Sequence, residues 1–355
     1  MSSEAPTRLL LLAIRAIGDV VLITPIIRQL RLAYPDVYLA ALADGQSAKI
    51  LHHNPHLDRV IEIDRRAARR LSKTTQFKQW LQCIADIRHE QFDTVVDLFS
   101  GPRSAMLAWL SGASRRYGEE SRNRVRGFLY SHSVAMPRDD RHLTEQKLAL
   151  VHSLVGSMDF YQAPPLELFL TSDESQRALS LLANGQTTAE RIVGLVPGAG
   201  SPWRMWPLDR FAQLADFLVE HYHVRIVLVG GADDRGICQR ISELMNEPPL
   251  DLSGQTSLRE LIAVLAEFDL VISNVTGPMH IASALPKPHV IGLYGEADTV
   301  QYAPWGNRAM MVTKGRREGA YWQKVDYEQD YQQLLEISVQ DVKDAVFQVM
   351  SDWHV

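Results

Sequence analysis

Four loops in this chain combine small residues with a charge, each just beyond an apolar run. The first, Ala13-Ile14-Arg15-Ala16-Ile17-Gly18-Asp19-Val20, sets a carboxylate at the exit of LLLLAI. Asp19 at a helix entry also suits the helix dipole, so a plain first-turn acid accounts for it equally well. The second loop, Pro197-Gly198-Ala199-Gly200-Ser201-Pro202-Trp203-Arg204, offers close backbone approach at Gly198 and a forked cation for phosphate oxygens at Arg204. The third follows RIVLV as Gly230-Gly231-Ala232-Asp233-Asp234. There Asp234 fits a helix cap and Asp233 fits a group accepting from ribose hydroxyls. The fourth is Ser273-Asn274-Val275-Thr276-Gly277-Pro278-Met279-His280. A helix opening at Thr276-Gly277-Pro278 points free N–H groups at an anion, and proline costs nothing in that first turn. His280, one turn in, suits buried packing first and a phosphate or sugar contact second. Each loop is modest alone, but together the four predict a nucleotide-diphosphate site. Nothing matches GxxxxGK[ST] or a clean GxGxxG, which weakens P-loop hydrolase and simple dehydrogenase readings.

These loops need strands that end where they begin. Short apolar runs at Arg8–Ile14, Val37–Leu42, Val60–Ile63 and Thr94–Leu98 alternate with helical spacing over Ile26–Tyr34 and Phe77–Arg88. A second set, Ile192–Val196, Arg225–Val229, Leu270–Ser273 and His289–Leu293, alternates with helices over Leu208–His221, Asp234–Asn246 and Ser257–Glu267. Continuous apolar strands between helices indicate parallel sheets covered on both faces, an α/β fold throughout. Near Ser157–Ser172 the pattern lapses, and Pro164-Pro165 favours an extended connector. The expected division is therefore residues 1–165 and 166–355, two comparable α/β units with a cleft between them, the last helix being free to return to the first unit.

With 355 residues, 46% hydrophobic and 22% charged, the composition is that of an ordinary soluble chain of about two domains. A net charge of −5 argues against a dedicated nucleic-acid binder. Cys83 and Cys238 alone cannot build a disulfide framework or a cysteine zinc site, so a reducing cytoplasm is expected. The N-terminal apolar runs are interrupted by Arg15 and Asp19 and are too short to span a bilayer or to act as a signal sequence.

AIGDVVLITPIIRQLRLAYPD, PGAGSPWRMWPLDRFAQLA and SNVTGPMHIASALPKPHVIGLYG, in that order, resemble glycosyltransferase family 9, the lipopolysaccharide heptosyltransferases. The resemblance runs from about residue 8 to 310. It implies the GT-B architecture, two Rossmann-like domains facing across a cleft, with acceptor bound by the N-terminal one and nucleotide-sugar, typically ADP-heptose, by the C-terminal one. It also implies inverting transfer with no metal and no cofactor. Asp19 then matches the general base. Arg204 stands where a K-x-W-P pattern usually has Lys and would bind donor phosphate. Asp233 falls at the ribose position, Thr256 where backbone meets adenine, Thr276 and Gly277 at the diphosphate loop, and His280 at the family's His. The pattern N-D-[ST]-G is broken by Val275, which removes a charged acceptor at the sugar end and predicts altered sugar preference, with Val275→Asp shifting it towards ADP-heptose.

For the acceptor, Arg15, Arg103 and Arg116 are candidates, the last two within a basic stretch that includes Arg115, Arg122, Arg124 and Arg126. A phosphorylated or carboxylated lipid-linked or core glycan at the inner membrane face suits it, although a solvated arginine-rich loop explains many of these residues. The rival readings are a nucleotide-sugar epimerase on the same architecture and a catalytically silent nucleotide-sugar-binding protein.

Overall fold

A computed structural model describes residues 5–64, 72–120, 124–136, 141–156, 164–183, 191–295, 299–306, 308–315 and 327–350. The chain divides into two units, Met1–Asp139 with Leu143–Pro164, and Asp140–His142 with Pro165–Val355. The first unit runs β1 (Arg8–Ala13), α1 (Ile17–Leu22), α2 (Thr24–Ala33), β2 (Tyr38–Asp44), α3 (Gly45–Ala48), β3 (Arg59–Ile63), α4 (Lys73–His89), β4 (Thr94–Asp97), α5 (Pro102–Leu110), β5 (Arg115–Glu119), α6 (Arg124–Leu129), β6 (His132–Val134) and α7 (Leu143–Val155). The second runs α8 (Ser172–Leu182), β7 (Ile192–Val196), α9 (Leu208–Tyr222), β8 (Arg225–Leu228), α10 (Arg235–Leu244), β9 (Leu250–Asp251), α11 (Leu258–Glu267), β10 (Leu270–Asn274), α12 (Gly277–Ser283), β11 (His289–Tyr294), β12 (Ala309–Thr313), α13 (Tyr327–Glu336) and α14 (Val339–Val349).

Each unit holds a six-stranded sheet in which every described pairing is parallel, ordered β3-β2-β1-β4-β5-β6 in the first and β12-β11-β10-β7-β8-β9 in the second. In both, the order reverses beside the unit's first strand, at β1/β4 and at β10/β7. Loops diverge to opposite faces there and leave room for a ligand at the carboxyl ends of the strands. The central strands are buried along nearly their whole length, as LLLLA in β1 and LVISN in β10 show, because helices cover both faces. Helix α9 illustrates the packing: Phe211, Leu214, Ala215 and Leu218 recur at helical spacing and bury against Val193, Leu195, Ile226 and Leu228 of β7 and β8.

Thr24 does not cap α2. Ile23 takes that position, Thr24 Oγ1 donates back to the Val21 carbonyl at 2.8 Å, and two short helices follow β1 in succession. His142 groups with the second unit: its Nε2 lies 3.0 Å from the Ala303 carbonyl, and its ring lies tilted against Trp305 with centroids 4.3 Å apart. The last described helix, α14, packs on α9 of its own unit, where Phe347 meets Phe217 and His221.

Helix α8 opens with a reciprocal cap: Thr171 Oγ1 accepts from the Glu174 amide, and Glu174 accepts from the Thr171 amide. The Glu174 carboxylate also takes two guanidinium N–H groups of Arg259 at 2.8 and 2.7 Å, joining α8 to α11. Chiefly through Arg259, the carboxyl is held at about 2, against an ordinary 4.5. A carboxyl lowered on folding adds its stability in full above about pH 4.5 and loses it as pH falls towards 2. Glu174→Gln is expected to cost about 3 kcal/mol at pH 7. In chemical denaturation, the gap to the parent should narrow on going to pH 3, and a gap independent of pH would show that the pair does not carry it.

Candidate active site: two strand-end clusters

In the first unit the site residues gather at the carboxyl ends of β1 and β4. Asp19 is the third residue of α1, 8% exposed, and its Oδ2 lies 3.6 Å from Arg15 Nε. The Arg15 guanidinium stands over the Phe99 ring at 5.4 Å, and Lys147 Nζ of α7 stands 5.2 Å from the same ring. Lys147 also pairs with Glu119 at the end of β5. Phe99 is held by a turn that Asp97 organises. The buried Asp97 carboxylate accepts from the Phe99 and Ser100 amides at 3.2 and 2.9 Å and from the Tyr130 hydroxyl at 2.7 Å. These bonds stabilise Ser100 at a φ of 48°, in the left-handed region. Burial pushes the Asp97 carboxyl up, and hydrogen bonds from Ser104, Tyr130 and the turn amides oppose it.

Arg103 is exposed at the start of α5, on the exit from β4. Arg116 is not brought to this edge. It lies near the start of β5, and its guanidinium donates to the carbonyls of Leu129, Ala113 and Ser114. Its charge therefore stitches the strand's entry, and Arg115 does similar work through Asp93 at 2.8 Å. Arg122 lies outside the described residues, as do the side chains of Arg124 and Arg126.

In the second unit the remaining candidates share one edge. Asn274, wholly buried at the end of β10, accepts from the Trp206 amide at 3.1 Å and donates to the Pro197 carbonyl at 2.7 Å. It thereby fixes both ends of the loop that carries Arg204 against the Thr276-Gly277 turn. Trp206, also buried, donates its indole N–H to the Ile337 carbonyl at 2.8 Å. Thr276 is the residue preceding α12, its hydroxyl making no capping bond, and Thr276 and Gly277 are half-buried.

Gly198 is small for a different reason than expected. A Cβ there would stand 2.2 Å from Asp234 Oδ1, so the space a side chain would take belongs to Asp234. Asp234 in turn accepts from the Gly231 amide at 2.8 Å, closing the turn after β8 and leaving Asp233 exposed. The Gly254 amide donates to the Gly230 carbonyl at 2.9 Å, which brings the half-buried Thr256 alongside.

His280 is 3% exposed, and its Nδ1 has no hydrogen-bond partner among the described residues. Burial first, and His142 second, press it down to about 3, while burial takes His142 to about 4. Both rings are uncharged near neutrality, so His280 can offer a hydrogen bond but no cation to a phosphate.

The sequence model of the family described as "Glycosyltransferase family 9 (heptosyltransferase)" matches residues 80–332. The chain belongs to glycosyltransferase family 9. It is 26% identical over 332 residues to lipooligosaccharide heptosyltransferase 2 of Haemophilus influenzae, covering 87% of this chain and 92% of that one. It is likewise 26% identical over 301 residues to lipopolysaccharide heptosyltransferase 3 of Escherichia coli, covering 84% and 85%. Its fold matches a family 9 glycosyltransferase of Veillonella parvula with a TM-score of 0.85 at 23% identity, over 98% of both chains. It also matches the E. coli ADP-heptose heptosyltransferase II at 0.78 and 20%, over 97% and 99%. The two Rossmann-like units are thus those of the GT-B architecture.

Three residues of these clusters were not singled out in the sequence: Phe99, Lys147 and Asn274. Asn274 stood inside a quoted motif, at the last buried position of a strand where a polar side chain must find partners. Lys147 and Phe99 carry no local signal, since sequence-distant elements bring them together.

Asn274→Ala removes partners from the Trp206 amide and the Pro197 carbonyl. It is expected to cost roughly 2–4 kcal/mol in equilibrium unfolding. A loss under about 0.5 kcal/mol, the scale of a neutral surface change, would show that the loops hold one another without it.

Proposed function

We propose that this family 9 glycosyltransferase moves a heptose or related sugar from a nucleoside-diphosphate sugar, ADP-heptose in the first instance, to a lipopolysaccharide core or related glycan. The reaction proceeds with inversion and without a metal. The observation that carries the reading is the Asn274 bridge, which sets the Arg204 loop beside the Thr276-Gly277 turn at the β10/β7 switch point. The names of the relatives support the substrate class, and an E. coli heptosyltransferase of the same fold has been solved with ADP (TM-score 0.74, 20% identity).

On this reading Asp233 accepts from the ribose, the backbone at Thr256 meets the adenine, and Arg204 with the Thr276-Gly277 amides takes the diphosphate. His280 adds a neutral hydrogen bond. As the bond from the anomeric carbon to the leaving diphosphate breaks, negative charge grows on its oxygens, and Arg204 and the amides stabilise it. Asp19 takes the proton of the acceptor hydroxyl as that oxygen attacks from the opposite side, which inverts the centre. Arg15, 3.6 Å from Asp19, sets a cation beside that carboxylate and, with Arg103, faces anionic groups of the acceptor. No described helix is long and apolar enough to cross a membrane. A lipid-linked acceptor would be met at the cytoplasmic face of the inner membrane.

Asp19→Ala should reduce transfer by at least about a hundredfold and leave donor affinity within a few fold, because a base acts in the transition state. EDTA should leave the parent rate unchanged. Joint loss of donor binding and activity would make Asp19 a structural acid, and chelator sensitivity would overturn the metal-free mechanism. Sugar released or epimerised without acceptor would indicate the epimerase reaction.

Arg204→Ala should weaken ADP about ten- to a hundredfold, as loss of charge-assisted bonds to phosphate implies, and leave adenosine unaffected. Titration calorimetry with the two ligands tests it, and equal ADP affinity in variant and parent would remove Arg204 from the site.

A further inference from the structure

One side chain at the donor edge of the second unit has no role in the mechanism above. Asp330 is 6% exposed on α13, and a carboxylate buried that deeply needs a charged or strongly donating neighbour. It lines a small cavity with Arg204, Val275, Leu293, Gly295 and Leu334. Arg204 and Asp330 are the charged members of that lining, and the other four residues bring no polar side chain.

Two contacts give Asp330 a defined seat. At Gly295, just past β11, a Cβ would stand 2.3 Å from Asp330 Oδ1 and 2.4 Å from its carbonyl oxygen, so the strand exit is shaped to receive both. One residue along, Tyr331 meets Trp203 edge to face, with centroids 5.5 Å apart and planes at 84°. Trp203 is Arg204's neighbour in the turn Pro202–Arg204. The pairs 203/204 and 330/331 therefore meet aromatic on aromatic, with Arg204 and Asp330 both in the lining of the one cavity.

We propose that Asp330 is a positioning residue for Arg204. Its carboxylate holds one edge of the guanidinium and leaves the remaining N–H groups for the donor's diphosphate, on the reading that Arg204 binds that group. A guanidinium fixed in advance loses less side-chain freedom when the anion arrives. Val275 completes the arrangement as an apolar wall, lowering the local dielectric and adding no competing acid.

The role of Val275 changes accordingly. The sequence alone suggested that Val275→Asp would restore a sugar contact. In this cavity it adds a second carboxylate beside Arg204, which draws the guanidinium from the diphosphate and raises like-charge repulsion. Moving the acid across the cavity, with Val275→Asp and Asp330→Asn together, returns the balance to one carboxylate and one guanidinium.

The test measures ADP and adenosine affinity by calorimetry on the full chain. Asp330→Asn, which keeps the shape, should weaken ADP about tenfold, the scale of one charge-assisted hydrogen bond, and leave adenosine unchanged. In an Arg204→Ala background it should have no further effect. Val275→Asp alone should also weaken ADP, and the double variant should recover at least half of each single loss on a logarithmic scale. If Arg204→Ala weakens ADP but Asp330→Asn does not, or if its effect persists without Arg204, the positioning role is overturned and the donor assignment stands. If Arg204→Ala itself changes nothing, the donor assignment fails first. Should Asp330→Asn not fold, Val275→Asp decides: weaker ADP binding supports the proposal, and unchanged or tighter binding overturns it.

Discussion

The side-chain amide of Asn274 is where the second unit's architecture becomes a site. A parallel sheet delivers loops to one edge but does not fix the distance between them, because each loop leaves its strand with its own freedom. Asn274 removes that freedom by donating to one end of the β7 loop and accepting from the other. No other uncharged side chain of that length except Asn offers both functions in one planar group. With the loop ends tied, Arg204 has a short tether, and Trp206 is carried into the core, where it meets Phe211 and bonds to the Ile337 carbonyl.

The first unit solves the same problem with a buried acid. Asp97 is wholly buried, and the amides and the hydroxyl that converge on it oppose the cost of that burial. In exchange the turn after β4 is rigid enough to hold Ser100 in a left-handed conformation, and Phe99 stands as a platform between Arg15 and Lys147. Arg15, at the entry to α1, thus meets both the Phe99 ring and the Asp19 carboxylate, and the turn after β4 helps to fix where that cation stands.

What the sequence showed depended on how local each cause was. Strands buried on both faces are continuous apolar runs, and Ile192–Val196 was readable to the residue. The short edge strands β6 and β9, and β5 with its RRYGE composition, lack such a run and went unread, as did α7, α8 and α13. Of the strand-end loops, the turns were legible because glycine, proline and acids after a strand have few other uses. The reason for Gly198 was not, because the atom that fills its space belongs to Asp234, beyond another strand. Arg116 shows the opposite error: a cluster of like charges in sequence looked like one patch, while the sheet sent Arg115 and Arg116 to the entry of β5, the end remote from Asp19.

The bond from Trp206 to the Ile337 carbonyl spans 131 residues, and Arg210 donates to the carbonyls of Leu335 and Ile337 as well. The loop after β7 is thus anchored to the link between α13 and α14. A chain is made from its N-terminus, and its units fold as they emerge. The loop after β7 must therefore lack these anchors through most of the chain's synthesis, long after β7 itself has been made. That edge closes late, when the segment around Ile337 leaves the ribosome and the buried tryptophan finds its acceptor.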